Sequence, residues 1–195
     1  MTDTSEGPKR RKKLSAALGL AAATALIVVP APAFAGDGSG GIGPGGDGTT
    51  PPTTGRTTAG PKAKLKEGYA IPPAGAPNKV KRAIEAANQI VKNKPYCMGG
   101  GHARRRDSCY DCSGSVSYAL TGAGLLDYSM PSGDFMRWEK AGKGRWITVY
   151  ANGGHAFAVI AGLRLDTSMT AGDGPGWSAQ MRSGKGYAVR HPAGF

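Results

Sequence analysis

The sequence predicts an α+β domain: helices first, then a small antiparallel sheet, with a cysteine at the start of one helix. Three observations carry this. Val80, Ile84, Ala87 and Val91 recur at helical spacing behind Asn78. After Gly144 the pattern changes to short runs of β-branched and aromatic residues cut by glycine turns. Helical runs followed by strand runs, rather than alternating with them, give α+β.

The elements follow in order. Asn78 is placed to cap a helix running to about Lys92, and Pro95 stops the chain from continuing it. A second helix should open near Cys112 and run to Leu120, with Val116, Ala119 and Leu120 inward and Gly122 ending it. A short third helix is expected over Gly133 to Ala141, with Phe135 and Trp138 as its apolar side. Strands are expected over Trp146–Tyr150, His155–Ala161, Arg164–Thr167 and Gly186–His191, with turns at Gly153-Gly154 and Gly162-Leu163. Phe135, Trp138, Trp146 and Phe157 read as core.

Composition assigns the rest of the chain. The 195 residues include 32 Gly and 14 Pro, well above the usual share. No Gly-X-Y period runs through them, which excludes collagen. The glycines are pooled: residues 36–60 hold 10 Gly, 3 Pro and 6 Thr, and no apolar period runs there. With Pro72-Pro73 and Pro77 beyond, 36–77 reads as a flexible tether stiffening to a neck. A second reading packs Leu65 to Ile71 on the domain as an N-terminal arm. The folded part is then 78–195, long enough for one core.

Ahead of the tether, Lys9 to Lys13 form a basic block, and the 16 residues Leu14 to Val29 carry no charge. Ala33-Phe34-Ala35 then offers small residues where a signal peptidase reads. This is the layout of a secretory signal over 1–35. The apolar run is short for a span of about 20 residues, so no stable membrane span is expected after cleavage. Arg10-Arg11 hints at twin-arginine export. Lys plus Arg is 25 against 13 Asp plus Glu, a net charge of +12. Removing 1–35 takes away five bases and two acids, so the exported chain keeps +9. Outside the membrane that excess points to an anionic envelope polymer and away from nucleic acid.

Three cysteines remain after export: Cys97, Cys109 and Cys112. Asp111-Cys112-Ser113-Gly114 opens the second helix. The helix dipole and the free N–H groups there favour a thiolate and are placed to hold an oxyanion. A nucleophile needs a base, and the base an orienting group. His155 stands at the mouth of a strand, and Asp166 follows eleven residues later. A turn at Gly162-Leu163 brings the two together on neighbouring strands, where facing side chains are about 5 Å apart. His102 and His191 compete for these roles.

Cys97 and Cys109 are placed to form a disulfide that closes the Arg104-Arg105-Arg106 loop, as export permits. Two rivals stay open: a zinc site of Cys97, His102, Cys109 and Cys112, and a Cys109-x-x-Cys112 redox pair. The three arginines read as a solvated loop or as a clamp for carboxylates. Trp177, among Gly172, Gly174 and Gly176, is a candidate cleft-lining aromatic.

Pro95-Tyr96-Cys97-Met98-Gly99-Gly100, Asp111-Cys112-Ser113-Gly114 and Gly154-His155 together resemble the NlpC family of bacterial cell-wall cysteine peptidases. The resemblance covers about 78–195. It implies a papain-like fold and hydrolysis of amide bonds in peptidoglycan stem peptides, usually between D-glutamate and the following diamino acid. It places Tyr96 near the oxyanion and Ser113 on the substrate cleft. The family's third polar residue is usually His, Asn or Gln, about twelve residues after the base; here Asp166 stands there, one residue nearer.

The expectation is therefore a secreted, wall-associated, monomeric cysteine endopeptidase needing no cofactor. Cys112 attacks, His155 moves the proton and Asp166 orients it. The alternatives are an N-acetylmuramoyl-L-alanine amidase and a non-catalytic basic envelope-binding protein.

Overall fold

The computed structural model describes residues 1–2, 54–169 and 174–195. The chain divides into two units, 1–44 and 45–195. The signal-sequence reading falls almost entirely outside the described residues, as does 36–53 of the tether. Among the described residues, no helix is long and apolar enough to cross a membrane.

The second unit is α+β, as expected. A hairpin of β1 (Lys64–Lys66) and β2 (Tyr69–Ile71) leads into α1 (Asn78–Ile90) and α2 (Cys112–Gly122). A four-residue α3 (Ser132–Phe135) follows, then β3 (Lys140–Ala141), β4 (Ile147–Ala151), β5 (Ala156–Ile160), β6 (Leu163–Asp166), β7 (Gly176–Ser178) and β8 (Ala188–His191). These last six strands form one sheet in the order β3-β8-β4-β5-β6-β7, with every neighbouring pair antiparallel.

Period-two burial in the strands sets which face meets the helices. Ile147, Val149, Ala158, Ile160 and Leu165 point to one side and are fully buried. α1 and α2 pack on each other, and α2 lies against β5 and β6. Val80, Ile84, Val116 and Leu120 fill the layer between. Burying each such side chain contributes on the order of 1.5–3 kcal/mol. The β5–β6 turn is tight, with Ala161 at φ 48° and Gly162 at φ 85° between the paired Ile160 and Leu163. Two successive left-handed residues match the twist of the strands they join.

Three expectations are corrected. Residues 58–77, expected first as part of the tether, are strapped to the domain, in line with the second reading for Leu65 to Ile71. Thr58 bridges Pro73, Ala63 N–H donates to Ala161 O at 2.8 Å, and Ala70 is fully buried. The cause lies 18 residues away: buried Asn88 on α1 donates to Ala70 O at 2.8 Å and accepts from Ala70 N at 3.1 Å. The third helix stops at Phe135 rather than Ala141, because Lys140–Ala141 pairs with β8 instead. Pro77 rather than Asn78 precedes the first turn of α1, with no side-chain cap.

Asn88 also accepts from Trp177 Nε1 at 2.9 Å. Asn88→Ala leaves three buried polar groups without this partner and should cost about 2–4 kcal/mol. Chemical denaturation checks this, and limited proteolysis should then cut first within 58–77.

Candidate functional site

The site is built where the start of α2 meets the mouth of β5. Asp111 is the N-cap of α2 in extended backbone, and its Oδ1 accepts from Gly114 N at 2.7 Å. A carboxylate here answers one orphan N–H and the positive end of the helix. Cys112 is therefore the first residue of the helix. Gly114 and Gly100 allow the preceding loop to close down: a Cβ on Gly114 would strike Gly100 O. A Cβ on Gly100 would meet Cys97 Sγ and Cys109 O at 2.6 Å.

The Cys97–Cys109 disulfide fixes that loop, with the Cα atoms 5.6 Å apart. Closing a loop of this length is worth on the order of 3 kcal/mol. The bond takes two of the three thiols, so neither the three-cysteine zinc set nor the Cys109–Cys112 redox pair is formed. Cys112 is left free and is only 9% exposed.

His155 reaches the thiol from the other side. Asn152 Oδ1 accepts from Gly154 N at 3.0 Å and from His155 N at 2.9 Å, turning the β4–β5 loop so that the imidazole faces Cys112. His155 Nε2 and Asp166 Oδ1 are 2.9 Å apart. The β5–β6 register, Ala158 opposite Leu165, continues to set Asp166 opposite Phe157, diagonal to His155 on the same sheet face. The structure thus brings Cys112, His155 and Asp166 into one chain of contacts.

The electrostatics are reciprocal. The hydrogen bond with Asp166, helped by one with Cys112, holds His155 up at about 9. Burial pushes the Cys112 thiol up, but hydrogen bonds from His155 and the Ala156 N–H, and the imidazole's charge, bring it below its ordinary value. Burial likewise works against the Asp166 carboxylate. His155, the Ser168 N–H and Arg182 overcome it and hold the group at about 2. In the interval between the thiol's lowered value and about 9, the stable state is a thiolate beside an imidazolium.

Several partners of this centre are not apparent in the sequence. Arg182 donates to Asp166 Oδ2 at 3.1 Å and to Ser168 Oγ at 2.6 Å, while covering the rings of Phe157 and Tyr187. Arg164 Nε lies 3.5 Å from Oδ2 without a hydrogen bond, so it contributes charge alone. Tyr187 stands edge-on to His155. His102 was expected as a competitor for the base or orienting role, or as a ligand in the rival zinc site. It sits instead 3.1 Å from Asp111 Oδ1 and 3.1 Å from Ser113 Oγ, with Nδ1 3.0 Å from Ser129 Oγ. Both ring nitrogens are engaged, Nε2 at the helix cap and Nδ1 at Ser129. His191 meets the Gly142 carbonyl, remote in role from the thiol.

Of the remaining expected residues, Tyr96 stays at the site. It is exposed, and its hydroxyl is raised by burial and by the charges of Cys112 and Asp111. Ser113 does not line a cleft. It is 4% exposed and its Oγ donates to Asp111 at 3.1 Å, because the first turn of α2 is covered by the 97–102 loop. Trp177 does not line a cleft either. It is 6% exposed, lies opposite Leu165 in the sheet and joins the main core, held there by its bond to Asn88.

No protein-family model and no curated protein matches this chain. One similar solved structure is described as a mutated form of the Resuscitation Promoting Factor Interacting protein RipA. The likeness is 21% identity over 72% of this chain and 73% of that chain, with a TM-score of 0.42.

Two pKa shifts give a pH signature for folding. The raised His155 contributes stability that is fully present below its ordinary 6.5 and lost as pH rises through about 9. The depressed Asp166 contributes stability present above its ordinary 3.8 and lost as pH falls through about 2. Urea midpoints measured across this range should show wild type exceeding Asp166→Asn near neutrality and the gap closing toward both ends.

Proposed function

We propose that this protein is a cysteine endopeptidase that hydrolyses amide bonds in peptidoglycan stem peptides, at the D-glutamyl–diamino acid link. The observation that carries the reading is the free Cys112 at a helix N-terminus, in contact with an imidazole whose far side is held by a buried carboxylate. The stem-peptide substrate rests on the motif resemblance around Pro95–Gly100, Asp111–Gly114 and Gly154–His155.

The steps follow from the arrangement. The Cys112 thiolate attacks the scissile carbonyl, and a tetrahedral oxyanion forms. The free N–H groups of the first turn of α2, with the Tyr96 hydroxyl at the mouth, are the donors available to it. The His155 imidazolium gives its proton to the leaving amine as the C–N bond breaks, leaving a thioester. Neutral His155 then takes a proton from water, whose oxygen attacks the thioester carbonyl. Collapse releases the carboxylate and returns the thiolate–imidazolium pair. Asp166 stays ionised throughout, fixing the ring and stabilising its charge. The disulfide supports export to an oxidising space, as a wall substrate requires.

Digestion of purified sacculi followed by mass spectrometry of the muropeptides tests this. Wild type should release new amino termini at the diamino acid. Cys112→Ala should lose about 10⁴-fold or more in kcat, and Tyr96→Phe about 10²-fold. Full activity in Cys112→Ala, or cleavage at the sugar–peptide link instead, overturns the reading.

A further inference from the structure

The sheet has a second face, turned away from α1 and α2. Thr148 pairs with Val159, and Tyr150 pairs with Phe157 on one side and Val189 on the other. These side chains alternate with the core-facing ones and form an apolar strip across three strands. A cavity of about 730 Å³ lies over the strip. Cys112, His155 and Tyr96 are not among its lining residues.

Its walls carry charge of one sign. Lys62 comes from the arm that precedes β1, Lys143 and Arg145 from the loop before β4, and Arg182 from the loop before β8. No Asp or Glu lines the cavity among the described residues. Arg182 is committed to Asp166 and Ser168. Lys62, Lys143 and Arg145 are exposed and in no ion pair among the described residues. An apolar floor ringed by uncompensated cations matches a ligand that alternates anionic and aliphatic parts.

The aromatic rings refine the choice. Tyr150 and Phe157 stack on each other at 4.6 Å, Tyr187 stands edge-on to Phe157, and Arg145 covers Trp146. Each of these rings already has a face or edge engaged by a neighbour, which reduces the platform for bases that single-stranded nucleic acid binding needs. A thin chain with aliphatic spacers needs no such platform. We propose that this groove is a second binding site, for a polyol-phosphate chain: phosphates on Lys62, Lys143 and Arg145, and spacers along Tyr150, Val159 and Val189. It gives an address to the anionic polymer that the overall charge implies, and it does not depend on the peptidase reading.

The test uses the full chain and a fluorescent glycerol-phosphate hexamer, read by anisotropy at about 0.15 M salt. Lys143→Glu with Arg145→Glu should weaken binding about tenfold or more. Lys79→Glu with Arg104→Glu changes the net charge equally but elsewhere, and should leave affinity within about twofold. Lys62→Glu alone should weaken binding in the same direction, which keeps the test decisive if the double variant folds poorly. Equal losses in the two charge-matched pairs, no binding by wild type, or equal affinity for an oligonucleotide or polyuronate of the same charge would each overturn the proposal.

Discussion

Asp166 is a carboxylate taken out of water, its side chain fully buried, and the site is organised around keeping it charged. Burial alone would protonate it, and a neutral acid holds an imidazole weakly. His155, Ser168 and Arg182 together reverse that tendency. They come from three places: the mouth of β5, the turn after β6 and the loop before β8. The register of the sheet is thus an electrostatic requirement as much as a packing one. A one-residue slip between β5 and β6 would turn Asp166 to the helix side, where the core is apolar and offers it no partner.

The other half of the centre depends on a second carboxylate. Asp111 gathers Gly114 N, Gly99 N, Ser113 Oγ and His102 around one residue. This fixes where α2 begins and so where the Cys112 sulfur lies. Its negative charge works against a thiolate next door, and it raises the thiol's pKa. His155 and the Ala156 N–H offset that. The geometry therefore costs some acidity at the thiol and recovers it from the sheet, which ties the helix and sheet halves of the site together.

The sequence made the local parts of this legible. α1 and α2 follow from apolar spacing, the strands from β-branched runs, and Cys112 and His155 from short motifs at element starts. Asp166 was readable because a hairpin is a local device: eleven residues and one tight turn bring it back to His155. What stayed hidden, or surfaced only as a second reading, depends on distant partners. The 64–71 hairpin is short and half polar, and its anchors, Asn88 and Lys92, lie on and just after α1. Trp177 sits among glycines like a loop residue, yet its indole N–H finds the same Asn88. Ser113 occupies a motif position that suggests a cleft, but the disulfide-bound loop covers it. Arg182 and His102 carry no local signature, since one acts across 16 residues on Asp166 and the other across nine on Asp111.

The site works only if Cys112 rests as a thiolate paired with His155. Cys112 is the one free thiol of the three cysteines, so the pH dependence of its alkylation by iodoacetamide reads that state directly. The midpoint of the rate profile should lie below the ordinary thiol value of 9.0, and His155→Ala should move it upward. A wild-type midpoint at or above that ordinary value, unchanged by His155→Ala, would mean that the thiol and imidazole are not paired in this way.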